Sequence, residues 1–135
     1  CRFYNVYGDF MATEGEYKLA LSIFLEQYRS GEPLTITGDG EQRRDFTHVD
    51  DIVDAMMKVV QLNKWGSVYE LGRGKNYSIN EIAKGFKDYP TKYIDARPGE
   101  IKITLNKDTK AQEILGWKPK KDIINYIKEN YEIQE

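Results

Sequence analysis

With a single cysteine, Cys1, the chain can form no internal disulfide, and a single histidine, His48, argues against a Cys/His metal site. It has no excess of positive charge. The 20 Lys and Arg residues stand against 22 Asp and Glu, for a net charge of −2. The broad basic footprint of a nucleic-acid binder is therefore missing, and any bound anion must be held locally by one or two placed arginines. No apolar run approaches the ~20 residues needed to span a bilayer, and no segment reads as a signal peptide, so a cytoplasmic protein without membrane contact is expected. Internal repeats, low-complexity tracts and linkers are also lacking. What remains is 135 residues, 40% hydrophobic and 31% charged. That is enough for a modest core in one compact domain or a piece of a larger one, and disorder is not expected. There is no initiator Met, and Cys1-Arg2-Phe3-Tyr4-Asn5-Val6-Tyr7 reads as a strand already under way. A fragment or processed product is the expectation.

The pattern alternates between strand and helix. The opening strand ends at Gly8, and a loop runs to Glu16. From Tyr17 the period becomes helical: Tyr17, Leu21, Phe24, Leu25 and Tyr28 share a face, and Gly31 with Pro33 is a stop signal. Leu34 to Thr37 is a short strand, followed by the turn Gly38-Asp39-Gly40, and Arg44 to Val49 is extended. Ile52, Ala55, Met56, Val59 and Val60 predict a second helix, with Thr47 or Asp50 as its cap. Ser67 to Leu71 predicts a strand, and Ser78-Ile79-Asn80-Glu81 predicts a helix opened by a capping box, with Tyr77 and Ile82 placed as a hydrophobic staple. Tyr93 to Ala96 and Ile101 to Leu105 read as further strands. A short helix should cover Ala111 to Leu115 and stop at Gly116, and Asp122 should cap a last one carrying Ile123, Ile127 and Tyr131. This order is an α/β fold.

Four places hold polar residues that periodicity does not explain. Asn5 sits at the carboxyl end of an apolar strand, where ligands gather in open α/β sheets. It could bond a phosphate or a sugar hydroxyl, or simply form a turn beside Gly8. The stretch Gly38-Asp39-Gly40-Glu41-Gln42-Arg43-Arg44-Asp45-Phe46 could grip a diphosphate, since guanidinium forks match phosphate oxygens. It could equally be a solvated hairpin tip with Asp45 as a surface partner. In Arg97-Pro98-Gly99-Glu100 a rigid turn can bring a cation and an acceptor to one point, which suits a ribose; a plain surface turn is the other reading. Gly72-Arg73-Gly74 lacks the third glycine of a dinucleotide-binding loop and reads as an ordinary loop. His48, next to a helix start, reads as structural rather than as a general base. Cys1 has no activating base in view, and the Lys118, Lys120 and Lys121 cluster reads as solvated surface.

In their order along the chain these pieces resemble the C-terminal portion of the extended short-chain dehydrogenase/reductase family, in the branch of NAD-dependent nucleotide-sugar epimerases and dehydratases typified by UDP-glucose 4-epimerase. The motifs are Arg2-Phe3-Tyr4-Asn5-Val6-Tyr7-Gly8, Gly31-Glu32-Pro33-Leu34-Thr35-Ile36, Gly38 to Asp51, Val68-Tyr69-Glu70-Leu71-Gly72, Ser78-Ile79-Asn80-Glu81, Arg97-Pro98-Gly99-Glu100 and Leu115-Gly116-Trp117-Lys118-Pro119. Each is weak alone; the ordered set is specific and covers essentially the whole chain. The resemblance implies that residues 1–8 and 50–71 are the last elements of a Rossmann sheet, and that 9–49 and 72–135 form a small α/β substrate-binding cap. It implies a nucleotide-sugar such as UDP-glucose or UDP-galactose as partner and NAD as cofactor, bound mainly by an N-terminal half.

Residue by residue, the resemblance implies that Asn5 and Arg44 hold the substrate diphosphate, with Arg43 exposed. Arg97 and Glu100 hold the ribose, where the family commonly has an aspartate in place of Glu100. Thr35 and Thr37 line the base mostly through their backbone, with Leu21 nearby, and Tyr4 and Val6 lie near the sugar and the nicotinamide. The family's catalytic pair is Tyr-x-x-x-Lys, yet none of the ten tyrosines has a lysine four residues on. The Gly-rich NAD loop is also missing, so this chain alone should not catalyse. A dehydratase or decarboxylase of the same family is the alternative to an epimerase. Outside enzymes, a stand-alone nucleotide-sugar-binding module or a degenerate assembly cap would fit. Family members are commonly homodimers.

Overall fold

The computed structural model describes residues 1–15 and 18–131. The opening strand is two strands, β1 (Arg2–Phe3) and β2 (Asn5–Tyr7), broken at Tyr4. The break arises because each piece pairs with a different neighbour. β1 lies parallel to β5 (Glu70–Leu71), and β2 lies parallel to β4 (Arg43–His48) with Asn5 opposite Phe46. Asn5 therefore opens β2 rather than closing a longer strand. β6 (Asn76–Ser78), not expected from the sequence, adds antiparallel to the other edge of β4. β3 (Leu34–Thr37) pairs in parallel with β7 (Thr91–Ile94). The strand expected over Ser67–Leu71 shrinks to the two residues that β1 can pair. That expected over Ile101–Leu105 reduces to one bridge between Ile103 and Arg43.

Among the described residues five helices complete the order: α1 (Ala20–Ser30), α2 (Val49–Leu62), α3 (Ile79–Lys84), α4 (Lys110–Leu115) and α5 (Ile123–Asn130). Tyr17, expected to start α1, lies outside the described residues. α1 buries Leu21, Phe24 and Leu25, the residues whose 3.6-residue spacing predicts its inner face. α3 opens with the expected capping box: Ser78 accepts from the Glu81 N–H, and Glu81 accepts from the Ser78 N–H at 2.7 Å. Asp122 caps α5 as expected. α2 departs from expectation, for its cap is neither Thr47 nor Asp50 but His48, whose Nδ1 accepts the Asp50 N–H at 3.1 Å. The hydroxyl of Thr47 is buried and turned instead toward Asp45 and the Arg73 N–H.

Among the described residues two apolar clusters hold the fold. The larger joins α1, β3, α3 and α5 through Leu21, Phe24, Leu34, Ile36, Ile82, Phe86 and Ile127, with Tyr7 and Phe46 from β2 and β4. The smaller joins Ile52 and Ala55 of α2 to Tyr69, Leu71, Ala111 and Trp117. Trp117 is fixed as well as buried, since its indole N–H donates to the Asp51 carbonyl at 2.8 Å. Fully burying a side chain of this kind is worth roughly 1.5–3 kcal/mol before entropy is counted, so these residues dominate what the core contributes.

Candidate functional site

Because side chains alternate along a strand, β4 serves two faces. Arg44 and Phe46 face a cleft closed on its other sides by α1, β3 and the 97–100 turn. This cleft, of about 220 Å³, is lined by Asn5, Thr35, Thr37, Gln42, Arg44, Arg97 and Glu100, with Leu19, Ile23, Phe24, Phe46 and Ile79 as its apolar wall. Six of the residues singled out from the sequence therefore converge on one place.

Arg44 is mostly buried. Its Nη1 donates to the Arg43 carbonyl at 2.9 Å, and Nη2 reaches Glu100 Oε1 at 3.5 Å. The guanidinium is thereby steered into the cleft while keeping donors free. Arg97 and Glu100 are both exposed, and the Glu100 N–H bonds the Arg97 carbonyl at 3.3 Å, which folds the turn back on itself. Asn5 Oδ1 accepts from Thr104 Oγ1 at 3.3 Å, so its carboxamide NH₂ is left to donate elsewhere.

β3 supplies the opposite rim. The Leu34 N–H bonds Pro90 O and the Gly38 N–H bonds Ile94 O. Leu34, Ile36 and Gly38 thus face β7, and the main-chain groups of Thr35 and Thr37 face the other way. On that free edge the Thr35 N–H donates to Gln27 Oε1 at 2.9 Å, and the Thr37 carbonyl accepts from Gln42 Nε2 at 3.0 Å. Gly40 makes the turn that follows possible. It sits at φ +74, and a Cβ there would strike the Asn80 side chain and Ile36 Cγ2.

The opposite face of β4 carries Asp45, which is completely buried rather than the surface partner of the hairpin-tip reading. Its Oδ1 accepts the Arg73 N–H at 2.9 Å; its Oδ2 accepts the Gly74 N–H at 2.9 Å and the Asn106 N–H at 3.0 Å. Its own N–H donates to Thr104 Oγ1 at 3.1 Å. The carboxylate therefore organises the Gly72-Arg73-Gly74 loop, while the Asp45 main-chain N–H holds Thr104, whose hydroxyl in turn bonds Asn5. Arg43, expected to be exposed, is half-buried and tied to Asn76 at 2.9 Å and Glu81 at 2.8 Å, because it points to the β6 side.

Leu21 is fully buried in the larger cluster, and the cleft wall beside it comes from Leu19, Ala20 and Ile23, one helical face further round. Tyr4 and Val6 lie outside the cleft. Tyr4 is half-buried against Gly72, and burial, followed by the nearby Glu70 carboxylate, raises its phenol above the ordinary value. Val6 packs against the smaller cluster. Sequence reasoning missed Gln27, Gln42 and the apolar wall. A glutamine within each of two otherwise patterned segments was the only available signal.

The model of the NAD dependent epimerase/dehydratase family matches residues 1–72. The chain belongs to that family. A putative UDP-glucose 4-epimerase of Methanocaldococcus jannaschii is 33% identical over 96% of this chain and 45% of the relative. UDP-glucuronic acid decarboxylase 4 of Arabidopsis thaliana is 33% identical over 88% of this chain and 27% of the relative. Among solved structures, the UDP-glucuronic acid 4-epimerase of Bacillus cereus in complex with UDP-glucuronic acid and NAD aligns with a TM-score of 0.83 at 28% identity, over 97% of this chain and 43% of that one. The chain thus spans less than half the length of the curated relatives it matches, and the α/β fold is that of part of an epimerase. The stretch matched to the epimerase/dehydratase family contains Asn5, Thr35, Thr37 and Arg44; Arg97 and Glu100 lie beyond it. Among the described residues no helix is long and apolar enough to cross a membrane, and no group of His, Cys, Asp and Glu could hold a metal ion.

Proposed function

We propose that this chain is the nucleotide-sugar-binding portion of an NAD-dependent 4-epimerase acting on a UDP-linked sugar. The observation that carries the reading is the convergence of Asn5, Thr35, Thr37, Arg44, Arg97 and Glu100 on one cleft. The chemistry suits that ligand. Arg44 and the Asn5 amide offer donors to a diphosphate, Arg97 and Glu100 offer a cation and an acceptor to the ribose hydroxyls, and the free edge of β3 offers main-chain groups to a base. At about 220 Å³ the cleft is smaller than the ~300–1,000 Å³ usual for a whole ligand site. It has room for part of a nucleotide-sugar, with the sugar extending past Asn5 toward Tyr4.

Residues 1–8 and 50–71 are read as the end of the Rossmann sheet, and 9–49 with 72–135 as the cap. For the dinucleotide, the residues present fit only an edge. The half-buried ring of Tyr4 could flank a nicotinamide, whereas Val6 is committed to packing. Bound NAD supplies a hydride acceptor to the family's chemistry. This chain's part is to bind and orient the substrate, and the proton-transfer residues of the reaction are sought outside it.

A second reading rests on the 33% identity shared with a UDP-glucuronic acid decarboxylase, equal to that shared with the epimerase. Both readings require a UDP-sugar, so the binding claim is common to them. Isothermal titration with UDP-glucose tests it. Saturable binding that weakens at least tenfold in Arg44→Ala is expected. A folded chain that binds UDP-glucose no better than the variant does would overturn the assignment of Arg44.

A further inference from the structure

Thr104 lies outside the cleft but touches Asn5, which lines it. Among the described residues the Thr104 hydroxyl has two partners. The Asp45 N–H stands 3.1 Å from Thr104 Oγ1, and Asn5 Oδ1 stands 3.3 Å from it. A main-chain N–H can only donate, so the hydroxyl accepts from Asp45 and sends its one hydrogen to Asn5. The atom that receives this hydrogen must be the carboxamide oxygen. The Asn5 NH₂ group, which has no partner among the described residues, is left for the cleft. Thr104 is itself anchored. Its N–H donates to the Arg43 carbonyl at 3.0 Å and its carbonyl accepts from Asn76 Nδ2 at 3.2 Å. Two residues further on, the Asn106 N–H is held by the buried Asp45 carboxylate at 3.0 Å.

We infer that Thr104 is a positioning residue: it fixes the Asn5 carboxamide with its NH₂ edge toward the cleft, and so makes Asn5 a donor to anions rather than an acceptor. The inference rests on the proposed nucleotide-sugar reading, in which Asn5 meets the diphosphate. An asparagine by itself has no such polarity, because half a turn about its last bond exchanges a donor for an acceptor. With its oxygen edge outward it would set a lone pair against phosphate oxygens. Thr104 removes that choice before a ligand arrives, and a side chain already held in its bound orientation has less freedom to lose on binding. The chemistry calls for a hydroxyl at this position. A hydroxyl can accept from the Asp45 N–H and donate to Asn5 at once, whereas an ammonium could not accept and a carboxylate could not donate. The main chain of β4 thereby sets the polarity of a side chain on the neighbouring strand, with Thr104 as the relay.

The test is titration of the chain with UDP and with uridine, which carries no phosphate, using Thr104→Val, Thr104→Ser, Asn5→Ala and the double variant of Asn5→Ala with Thr104→Val. In Thr104→Val the carboxamide has to be oriented at the moment of binding. UDP should then bind about three- to tenfold more weakly, a range set by the worth of one hydrogen bond, while uridine affinity stays the same. Thr104→Ser should restore UDP affinity. In the Asn5→Ala background Thr104→Val should cause no further loss, since the threonine then has nothing to orient. Losses that add, or a loss for uridine equal to that for UDP, would show a merely structural role and overturn the inference. A second measurement needs no variant, in case loss of the Asp45 contact unfolds Thr104→Val. Nuclear relaxation of the Asn5 NH₂ group in the unliganded wild type should show it ordered, and a freely moving group would also overturn the inference. If UDP binds the wild type and Thr104→Val equally, the inference is wrong while the proposed function stands. If the wild type does not bind UDP, the proposed function falls and the inference falls with it.

Discussion

Adjacent arginines of β4 have different surroundings because strand side chains alternate, and substitutions should separate them. Arg43 makes a half-exposed ion pair with Glu81, a kind of contact worth about 0–1 kcal/mol. With its hydrogen bonds to Asn76 also lost, Arg43→Ala should cost about 1–3 kcal/mol in urea unfolding and leave UDP-glucose affinity unchanged, whereas Arg44→Ala should lose affinity. Asp45, between Arg44 and Phe46, should behave differently again. Asp45→Asn turns an NH₂ group toward N–H donors that now have a buried carboxylate. Leaving buried donors unpaired costs about 1–3 kcal/mol each, so a loss on the order of 3 kcal/mol is expected. A loss under 1 kcal/mol in equilibrium unfolding would mean that the loop does not depend on Asp45. That Asp45 is buried was not legible in the sequence, where an Asp beside two Arg reads as surface. Its N–H partners come from residues 73, 74 and 106, far along the chain.

At the scale of elements, the caps differ in how far the sequence reveals them. Ser78 and Glu81 obey a local rule. Ser78→Ala should cost about 1 kcal/mol, read from the midpoint of denaturation. The cap of α2 obeys no such rule, because His48 caps only when its ring is held in place, here edge-on to Tyr7 and Tyr126 at 5.1 and 5.4 Å. Its Nδ1 accepts the Asp50 N–H and so must be unprotonated. Burial, and then the charge of Lys121, lowers its pKa below the ordinary 6.5, although Asp50, Asp51 and Asp9 act in the opposite direction. The unfolded chain therefore takes up a proton at a higher pH than the folded one does. This contribution to stability is complete above pH 6.5 and is lost as the pH falls below 6.5 toward the folded pKa. Thermal melts between pH 7.5 and 5 should show that loss. In His48→Asn, which can cap without titrating, the slope should flatten even if the melting temperature is lower throughout. An unchanged slope would exclude His48 as its source.

For the molecule as a whole, the two apolar clusters leave one helix half-covered. α2 buries Ile52 and Ala55 but exposes Val53, Met56, Met57 and Val60 by 43 to 57%, and Phe3 of β1 is 50% exposed. An apolar face of that kind favours association in water. The chain alone should scatter light increasingly with concentration, and Val53→Glu with Met57→Glu should suppress this without lowering the melting temperature by more than a few degrees. Persistent scattering in the double variant would place the adhesive surface elsewhere. What the sequence determined by itself was whatever a local rule governs. The helical stripes of α1, α3 and α5, the stop signal after α1 and the capping box depend on residues within a turn or two of one another, and the motifs that carry the family are each local and are read in their order along the chain. The tertiary structure alone decided the break at Tyr4, the addition of β6, the cap at His48, the burial of Asp45 and the grip of Gln27 on Thr35. Each of these rests on a partner that folding, rather than sequence spacing, brings within bonding distance.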